Sequence, residues 1–223
     1  MTPRHHLDEA TVVSYATGAL SPEMAAVAAT HLELCSHCRA VLASAERVGG
    51  ALLGQQKPQP TGAERERQLR DAMAERLSAA PAHGGFVRDT PEPPADPDGL
   101  PRPLHAFFGP SWRALKWRWM GPGVQMIRSA KSSGDTLILL RIGPGKGMPV
   151  HSHGSTELTQ ILRGAYEDEL GHFSAGDVAD LGPDVTHRPV TSPGGPCICV
   201  AALDAPLRFP GWLARMVQPL VGL

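Results

Sequence analysis

The sequence lacks a strong charge of either sign and has no long apolar run. Its formal net charge is −1 over 223 residues. Domains that bind nucleic acid directly normally have a strongly basic face, so we expect no direct nucleic-acid contact. No apolar run approaches the roughly 20 residues that span a bilayer, and residues 1–8 lack the features of a signal peptide. We therefore expect a cytoplasmic protein without a membrane partner.

Cysteine and aromatic residues are also scarce. The four cysteines form two close pairs, Cys35 with Cys38 and Cys197 with Cys199, and aromatic residues make up 5% of the chain. In a reducing compartment, close cysteine pairs indicate metal or redox chemistry more than structural disulfides. A small domain with few aromatic residues has a thin core, which a bound metal can stabilise.

Glycine and proline are abundant and divide the chain. Ten of them fall within residues 81–103, too many for a regular element. We therefore predict a helical domain in residues 1–80, a linker in residues 81–104 and a second domain in residues 105–223.

The first segment has the apolar spacing of about four helices. Ser21 and Pro22 are a typical N-cap and first helical residue. Apolar residues three and four positions apart set the remaining boundaries. The predicted helices cover residues 7–19, 22–34, 40–53 and 64–79.

The fourth predicted helix has one apolar stripe on an otherwise charged surface. Leu69, Met73 and Leu77 follow one another at intervals of four residues, so they lie on one side of the helix. We expect this stripe to bind a partner.

Beyond residue 104, short runs with β-branched residues alternate with turns rich in Gly, Pro and Asp. The predicted strands cover residues 112–120, 124–130, 136–142, 158–162, 165–167, 177–181, 187–191 and 198–203. Short strands at this spacing favour an antiparallel sandwich or barrel. The predicted fold class is α + β multidomain, with a small N-terminal zinc-bound helical bundle and a C-terminal antiparallel β-barrel.

His31, Cys35 and Cys38 form a candidate zinc site in the helical domain. They stand at i, i+4 and i+7, so their side chains leave one side of a helix. Structural zinc takes four nitrogen or sulfur ligands in a tetrahedron. His5 or His6, just before the first helix, can supply the fourth. The cysteine pair alone would favour a surface redox pair or chance spacing over metal, and His31 one turn upstream strengthens the case for metal.

A second candidate metal site lies in the stretch Gly145-x5-His151-x-His153-x3-Glu157-x6-Gly164. Residues two apart on a strand face one side of the sheet, so the two histidines can converge with the glutamate across a short turn. The stretch resembles the first motif of the cupin family, a jelly-roll barrel. Zinc, iron(II), manganese and nickel fit such ligands equally well.

His187 is the expected fourth ligand of this site, from an opposite strand. Gly176-Asp177 and Pro183-x3-His187 resemble the second cupin motif. The residues between Pro183 and His187 lack the usual glycine, which argues against a dioxygenase-like site.

Cys197 and Cys199 stand two apart in a predicted strand and therefore share one face. They are either two small core residues or a redox pair near the metal. Neighbouring cysteines on one strand form a disulfide only with distortion.

The two motifs together resemble the ChrR-like family of zinc-binding anti-sigma factors over nearly the whole chain. The first motif, a histidine near the N-terminus followed by His31-x3-Cys35-x2-Cys38, is similar to the zinc-binding anti-sigma domain over residues 4–80. The resemblance favours His6 over His5 as first ligand, because 25 positions separate it from His31. A Cys-x-Cys after the last ligand is also typical of the family, and it favours a contribution to sensing.

The resemblance implies a regulatory function rather than an enzyme. The helical domain would bind an extracytoplasmic-function (ECF) sigma factor in a one-to-one complex and keep it from core RNA polymerase. The cupin would release it in response to oxidants such as singlet oxygen or organic hydroperoxides. Zinc is implied in both centres.

Two other functions fit the motifs. One is a metal-dependent cupin enzyme, dioxygenase- or isomerase-like, with a regulatory zinc domain, since cupins have many activities. No catalytic base motif stands beside the ligands. The other is a zinc-homeostasis sensor that releases its partner when metal changes.

Overall fold

The computed structural model describes residues 2–57, 61–79 and 99–206. They belong to two compact units, one formed by residues 1–47 with 98–223 and the other by residues 48–97. Residues 81–98 of the predicted linker lie outside the described residues. Within the described residues, no helix combines the length and apolar character needed to cross a bilayer.

Four helices precede residue 80, as predicted. They are α1 (Glu9–Ala16), α2 (Pro22–Leu34), α3 (Ser36–Gln55) and α4 (Ala63–Ala79). The second begins at the predicted residue because Ser21 Oγ accepts a hydrogen bond from the Met24 N–H at 3.2 Å, and Pro22 fits the first turn.

The third helix begins four residues before the predicted start at Ala40. The backbone of Cys35 is extended, with φ −98° and ψ 105°, and ends α2. The chain enters α3 at the next residue, so Cys38 lies in a helical first turn rather than in a loop.

The described residues from 99 onward contain eleven strands and three short helical turns. The strands are β1 (Arg118–Gly121), β2 (Val124–Arg128), β3 (Thr136–Ile142), β4 (His151–Ser152), β5 (Glu157–Arg163), β6 (Ala165–Asp168), β7 (Gly171–Ser174), β8 (Val178–Leu181), β9 (Thr186–His187), β10 (Val190–Thr191) and β11 (Cys197–Leu203). The helical turns are Arg102–Leu104, His105–Phe108 and Trp112–Ala114.

The strands form three antiparallel sheets. The largest has the order β1-β2-β3-β11-β5-β8, a second has β10-β6-β7, and β4 pairs with β9. This is the predicted α + β class with a jelly-roll-like second part, although the strands do not join into one closed barrel.

Two predicted strands differ from the structure, and one observed strand was missed. Residues 112–114 form a helical turn capped by Ser111, so the first strand begins only at Arg118. The predicted strand 187–191 is divided into two, because Pro189 has no N–H for a ladder. The short strand β7 was not predicted.

Helix α2 packs on the largest sheet within the first unit. Val27 and Ala28 are fully buried in one hydrophobic core with Leu158, Val200 and Ala202. Within that sheet, α2 contacts mainly β5 and β11. The segment with the candidate zinc ligands and the jelly roll therefore share one core, which also contains Leu104.

A buried carboxylate adds a polar contact between α2 and the sheet region. The Glu23 side chain accepts hydrogen bonds from Ser133, at 2.9 Å from the backbone N–H and 2.6 Å from the hydroxyl. These bonds outweigh the effect of burial and lower the pKa of Glu23, so the group stays ionised.

Candidate metal centres

The helical centre consists of His6, His31, Cys35 and Cys38. One side-chain atom from each lies within 4.8 Å of the others. His6 Nδ1 is 3.2 Å from Cys35 Sγ, and His31 Nε2 is 3.3 Å from Cys38 Sγ. Nitrogen and sulfur ligands of one tetrahedral zinc lie about 3.5 Å apart, so these distances fit such an ion.

His6 and His5 have different surroundings. His5 stacks on Phe173 with a centroid distance of 3.9 Å, and its Nε2 is 3.1 Å from the carbonyl oxygen of His172. His6 faces Cys35 instead. The structure therefore brings His6, and not His5, to the other three residues.

The ring of His31 is held from the jelly roll. Its Nδ1 is 3.1 Å from both the Gln160 side-chain oxygen and the Gly176 carbonyl oxygen. Both are acceptors, so we assign the proton to Nδ1, which leaves the Nε2 lone pair facing Cys38. Burial lowers the pKa of His31 and favours this neutral form, which is the form that binds metal.

The two thiols of the helical centre are buried. Burial raises the pKa of Cys38 to about 11, so a metal would have to displace its proton. The Cys38 N–H points to Cys35 Sγ at 3.4 Å and would stabilise a thiolate there. Two thiols and two histidine nitrogens match the four-ligand set that structural zinc takes.

The second cluster brings together His151, His153 and His187, whose ligand atoms lie within 4.8 Å of one another. All three side chains are buried. His151 and His187 are paired directly across β4 and β9. The short antiparallel pair therefore places residues from distant parts of the chain side by side.

Two of the three histidines have a hydrogen-bond acceptor next to Nδ1, the ring nitrogen that points away from the cluster. His151 Nδ1 is 2.8 Å from the Pro149 carbonyl oxygen, and His187 Nδ1 is 2.7 Å from Asp168 Oδ2. Protons on both Nδ1 atoms leave two Nε2 lone pairs facing each other at 3.1 Å. Two lone pairs at this distance repel each other unless a cation lies between them. A hydrogen-bond acceptor at the other ring nitrogen, such as Pro149 or Asp168 here, is typical of metal-bound histidine.

His153 and Glu157 stand beside each other in the same region. His153 Nε2 is buried and has no hydrogen-bond partner among the described residues, so a metal would satisfy it. His153 Nδ1 is 3.0 Å from Glu157 Oε2, although its direction does not meet hydrogen-bond geometry. Burial acts to raise the pKa of Glu157, but the nearby His153 and His151 rings and the Thr159 hydroxyl together lower it. Glu157 is not part of the three-histidine cluster.

A mainly apolar cavity adjoins the second cluster. Burial raises the pKa of Cys197 to about 12 and also raises that of Cys199, so both are protonated thiols near neutral pH. The hydroxyl of Tyr166 is buried without a hydrogen-bond partner among the described residues. The polar or sulfur-bearing residues that line the cavity include His151, Glu157, Tyr166, His187, Cys197 and Cys199.

The stripe on α4 is exposed within the second unit. Leu69, Met73 and Leu77 are 48%, 64% and 67% exposed, and no described residue of the helix is buried. Val48 and Leu52 of α3, in the same unit, are exposed as well. Apolar exposure on this scale is typical of an interaction surface.

Sequence reasoning missed several residues that support the two centres. Asp168 could not be found from a motif, because its contact with His187 depends on the pairing of β6 with β10. Gln160 left a weak signal, since it is an amide in a predicted strand whose other residues are apolar except for Thr159. Gly176 stood in the second cupin motif, but the motif does not indicate a role for its carbonyl oxygen.

Comparison with known proteins identifies the family. The model of the ChrR cupin-like domain matches residues 110–205. The anti-sigma-E factor ChrR of Cereibacter sphaeroides is 38% identical over 219 residues, which is 98% of each chain. The crystal structure of Rhodobacter sphaeroides SigE in complex with the anti-sigma ChrR matches with a TM-score of 0.74 and 31% identity, over 92% of this chain and 100% of that one. The chain therefore belongs to the ChrR family of anti-sigma factors.

Proposed function

We propose that this protein is an anti-sigma factor that sequesters one ECF sigma factor and releases it in response to an oxidant, such as singlet oxygen or an organic hydroperoxide. Its similarity over nearly the whole chain to a ChrR solved in complex with SigE is the observation that carries the proposal. Sequestration would occur in the cytoplasm, where core RNA polymerase acts.

The proposed sigma-binding surface is the α4 stripe of Leu69, Met73 and Leu77. Covering an exposed apolar row on a charged helix with a partner removes apolar surface from water and so stabilises the complex. The helical domain of residues 1–80 is the part proposed to bind the partner, and the jelly roll of residues 105–223 is the part proposed to receive the signal.

Zinc is the proposed metal of the helical centre. The paired nitrogen and sulfur atoms and the buried thiols support it. Zinc bound there would fasten the segment before α1 to the junction of α2 and α3, and structural zinc contributes about 10 kcal/mol or more to apparent folding free energy.

The three-histidine cluster is the proposed input site, with Glu157 as a further ligand and zinc as the favoured metal. A metal there would supply a reactive centre next to the cavity that contains the Cys197 and Cys199 thiols. Because both thiols are held protonated, we propose that they react only after the surrounding residues move.

The second candidate function is a metal-dependent cupin enzyme. The buried cavity beside His151 and His187 favours it, because such a site can enclose a small molecule. In that case, substitutions in the cluster would abolish turnover of a small molecule without changing transcription.

The binding surface can be tested with the cognate ECF sigma factor. Leu69→Asp with Met73→Asp should weaken the complex at least a hundredfold, about 2.7 kcal/mol, because two carboxylates would be buried in the interface. Calorimetric titration measures the change. Zinc content should stay at the wild-type value, since the stripe is not part of the metal centre.

A matched control puts the same charge on the other side of the helix. Gln68→Asp with Ser78→Asp adds two carboxylates away from the stripe and should leave affinity within about threefold. Equal affinity of the stripe variant and the wild type would reject α4 as the binding surface.

A further inference from the structure

Strand β5 has one face toward each metal centre. Glu157 and Thr159 line the cavity beside the three-histidine cluster. Leu158 belongs to the core shared with α2, and Gln160 contacts His31. Side chains alternate along a strand, so these four consecutive residues connect the two centres through one piece of backbone.

Gln160 is placed as an acceptor for the helical centre. Its side chain is fully buried. Its Nε2 is 3.4 Å from the Ile161 carbonyl oxygen, which orients Oε1 toward His31 Nδ1. A glutamine buried in an apolar core needs such partners, and here one of them is a residue of the metal centre.

A second contact from the jelly roll acts on His6, the other histidine of the helical centre. Asp177 Oδ1 accepts hydrogen bonds from the backbone N–H groups of Arg4 at 2.6 Å and His5 at 3.0 Å. These bonds fix the backbone immediately before His6. The neighbouring Gly176 carbonyl oxygen accepts from His31 together with Gln160.

We infer that Gln160 is a positioning residue of the helical metal centre, through which the jelly roll sets the zinc affinity of that centre. The inference rests on the proposed function only in taking zinc as the metal. An acceptor behind a histidine fixes its tautomer and orientation and raises its basicity, and loss of such an acceptor typically weakens metal binding about 10- to 100-fold. Because Gly176 remains as a second acceptor, we expect about a tenfold effect.

The test uses the full chain with Gln160→Leu, which removes the acceptor and keeps the volume. The centre is first loaded with cobalt(II). Zinc, held at known free concentrations by a chromophoric chelator, then displaces the cobalt, and the zinc affinity follows from that competition. Thiolate-to-cobalt absorption reports the centre that contains Cys35 and Cys38, so metal in the other cluster does not interfere. We expect about tenfold weaker zinc binding and a changed cobalt spectrum.

Two further variants separate positioning from structural support. Gln160→Glu keeps an acceptor oxygen and should return affinity to within a few fold of wild type. Gln125→Leu makes the same change on β2, where the side chain contacts Arg141, and should have no effect on the metal. Unfolding of the metal-free proteins provides the structural readout, which should move little in Gln160→Leu.

The outcomes distinguish this inference from the proposed function. Zinc affinity of Gln160→Leu within twofold of wild type would overturn the inference, as would equal losses in Gln160→Leu and Gln160→Glu. A wild-type protein that binds no zinc with Cys35 and Cys38 would overturn the zinc proposal instead. If Gln160→Leu does not fold, Gln160→Asn withdraws the oxygen by about 1.5 Å and should weaken binding in the same direction.

Discussion

The two histidine clusters obtain their ligands and their supporting hydrogen bonds in opposite ways. In the helical centre, His31, Cys35 and Cys38 are neighbours in sequence, whereas the acceptor Gln160 is 129 residues away from His31. In the jelly-roll centre, His151 and His187 are 36 residues apart, whereas Pro149 is two residues from His151. Three of the four candidate ligands of the first centre are close in sequence and their support is distant, whereas the second centre takes His187 from a distant segment and has nearer support.

This difference bears on how each centre responds to changes elsewhere. A centre with distant support loses affinity when the supporting domain moves, even though its ligands stay intact. The helical centre is therefore the one expected to sense the conformation of the jelly roll. The jelly-roll centre is expected to respond mainly to chemistry at its own residues.

The largest expected effect comes from removing a ligand of the helical centre. Cys38→Ala should abolish its zinc and unfold the segment around α1 and α2, since structural zinc supplies about 10 kcal/mol or more of apparent folding free energy. Elemental analysis and far-UV circular dichroism measure the two losses. Cys197→Ala is the control, because that thiol lies outside the centre, and unchanged zinc in Cys38→Ala would contradict the assignment.

The next prediction concerns the input site. His151→Ala and Glu157→Ala should abolish the transcriptional response to oxidant while sigma inhibition stays intact, because the proposed binding surface lies on α4. A reporter driven by the cognate sigma factor measures both properties. His172→Ala, an exposed histidine, should respond as wild type. A full oxidant response in both variants would exclude this site as the sensor.

A smaller effect should follow from removing the support of His187. Asp168→Ala deletes the acceptor at 2.7 Å and should weaken metal binding in the jelly roll about 10- to 100-fold, while zinc in the helical centre stays bound. Metal titration in a Cys35→Ala background isolates the jelly-roll site, and zinc in the helical centre is measured in Asp168→Ala with Cys35 intact. Loss of affinity at both centres would break the proposed contrast between them.

The smallest effect tests whether distant support is specific to Gln160. Glu23→Gln should lower the free energy of unfolding by about 1–3 kcal/mol, because the hydrogen bonds from Ser133 lose a charged acceptor. Zinc affinity should not change. Denaturant unfolding measures the free energy of unfolding, and chelator competition measures the zinc affinity. A tenfold loss of zinc affinity would show that the effect is not specific to Gln160, because another contact between α2 and the sheet region would also affect the centre.

The same variant has a pH signature. The pKa of Glu23 is lowered in the folded protein, so its contribution to stability is complete above the unfolded value of about 4.3. The contribution is lost as pH falls through the folded pKa. Wild type should therefore lose more stability than Glu23→Gln on acidification below about pH 4.3.

Local signals account for what the sequence predicted well. The start of α2 was predicted from Ser21 and Pro22, whose capping geometry depends only on neighbouring residues. The spacing of His31, Cys35 and Cys38 predicted a cluster that the structure brings together. Their role as metal ligands stays a prediction.

Contacts between distant segments account for what the sequence did not predict. The role of Gln160 depends on α2 packing against β5, and that of Asp168 on the pairing of β6 with β10. The strand β7 was missed because it has only four residues and begins at Gly171, a turn-forming residue. None of these follows from periodicity, which describes one element at a time.

The alternating faces of β5 also limit how the gene can change. A single inserted or deleted codon between Glu157 and Gln160 would shift the strand by one residue and exchange its two faces. A carboxylate would then meet the apolar surface of α2, and His31 would lose its amide. A single insertion or deletion would therefore damage both centres at once, whereas a single substitution would affect only one of them. This strand can evolve by substitution but not by insertion or deletion.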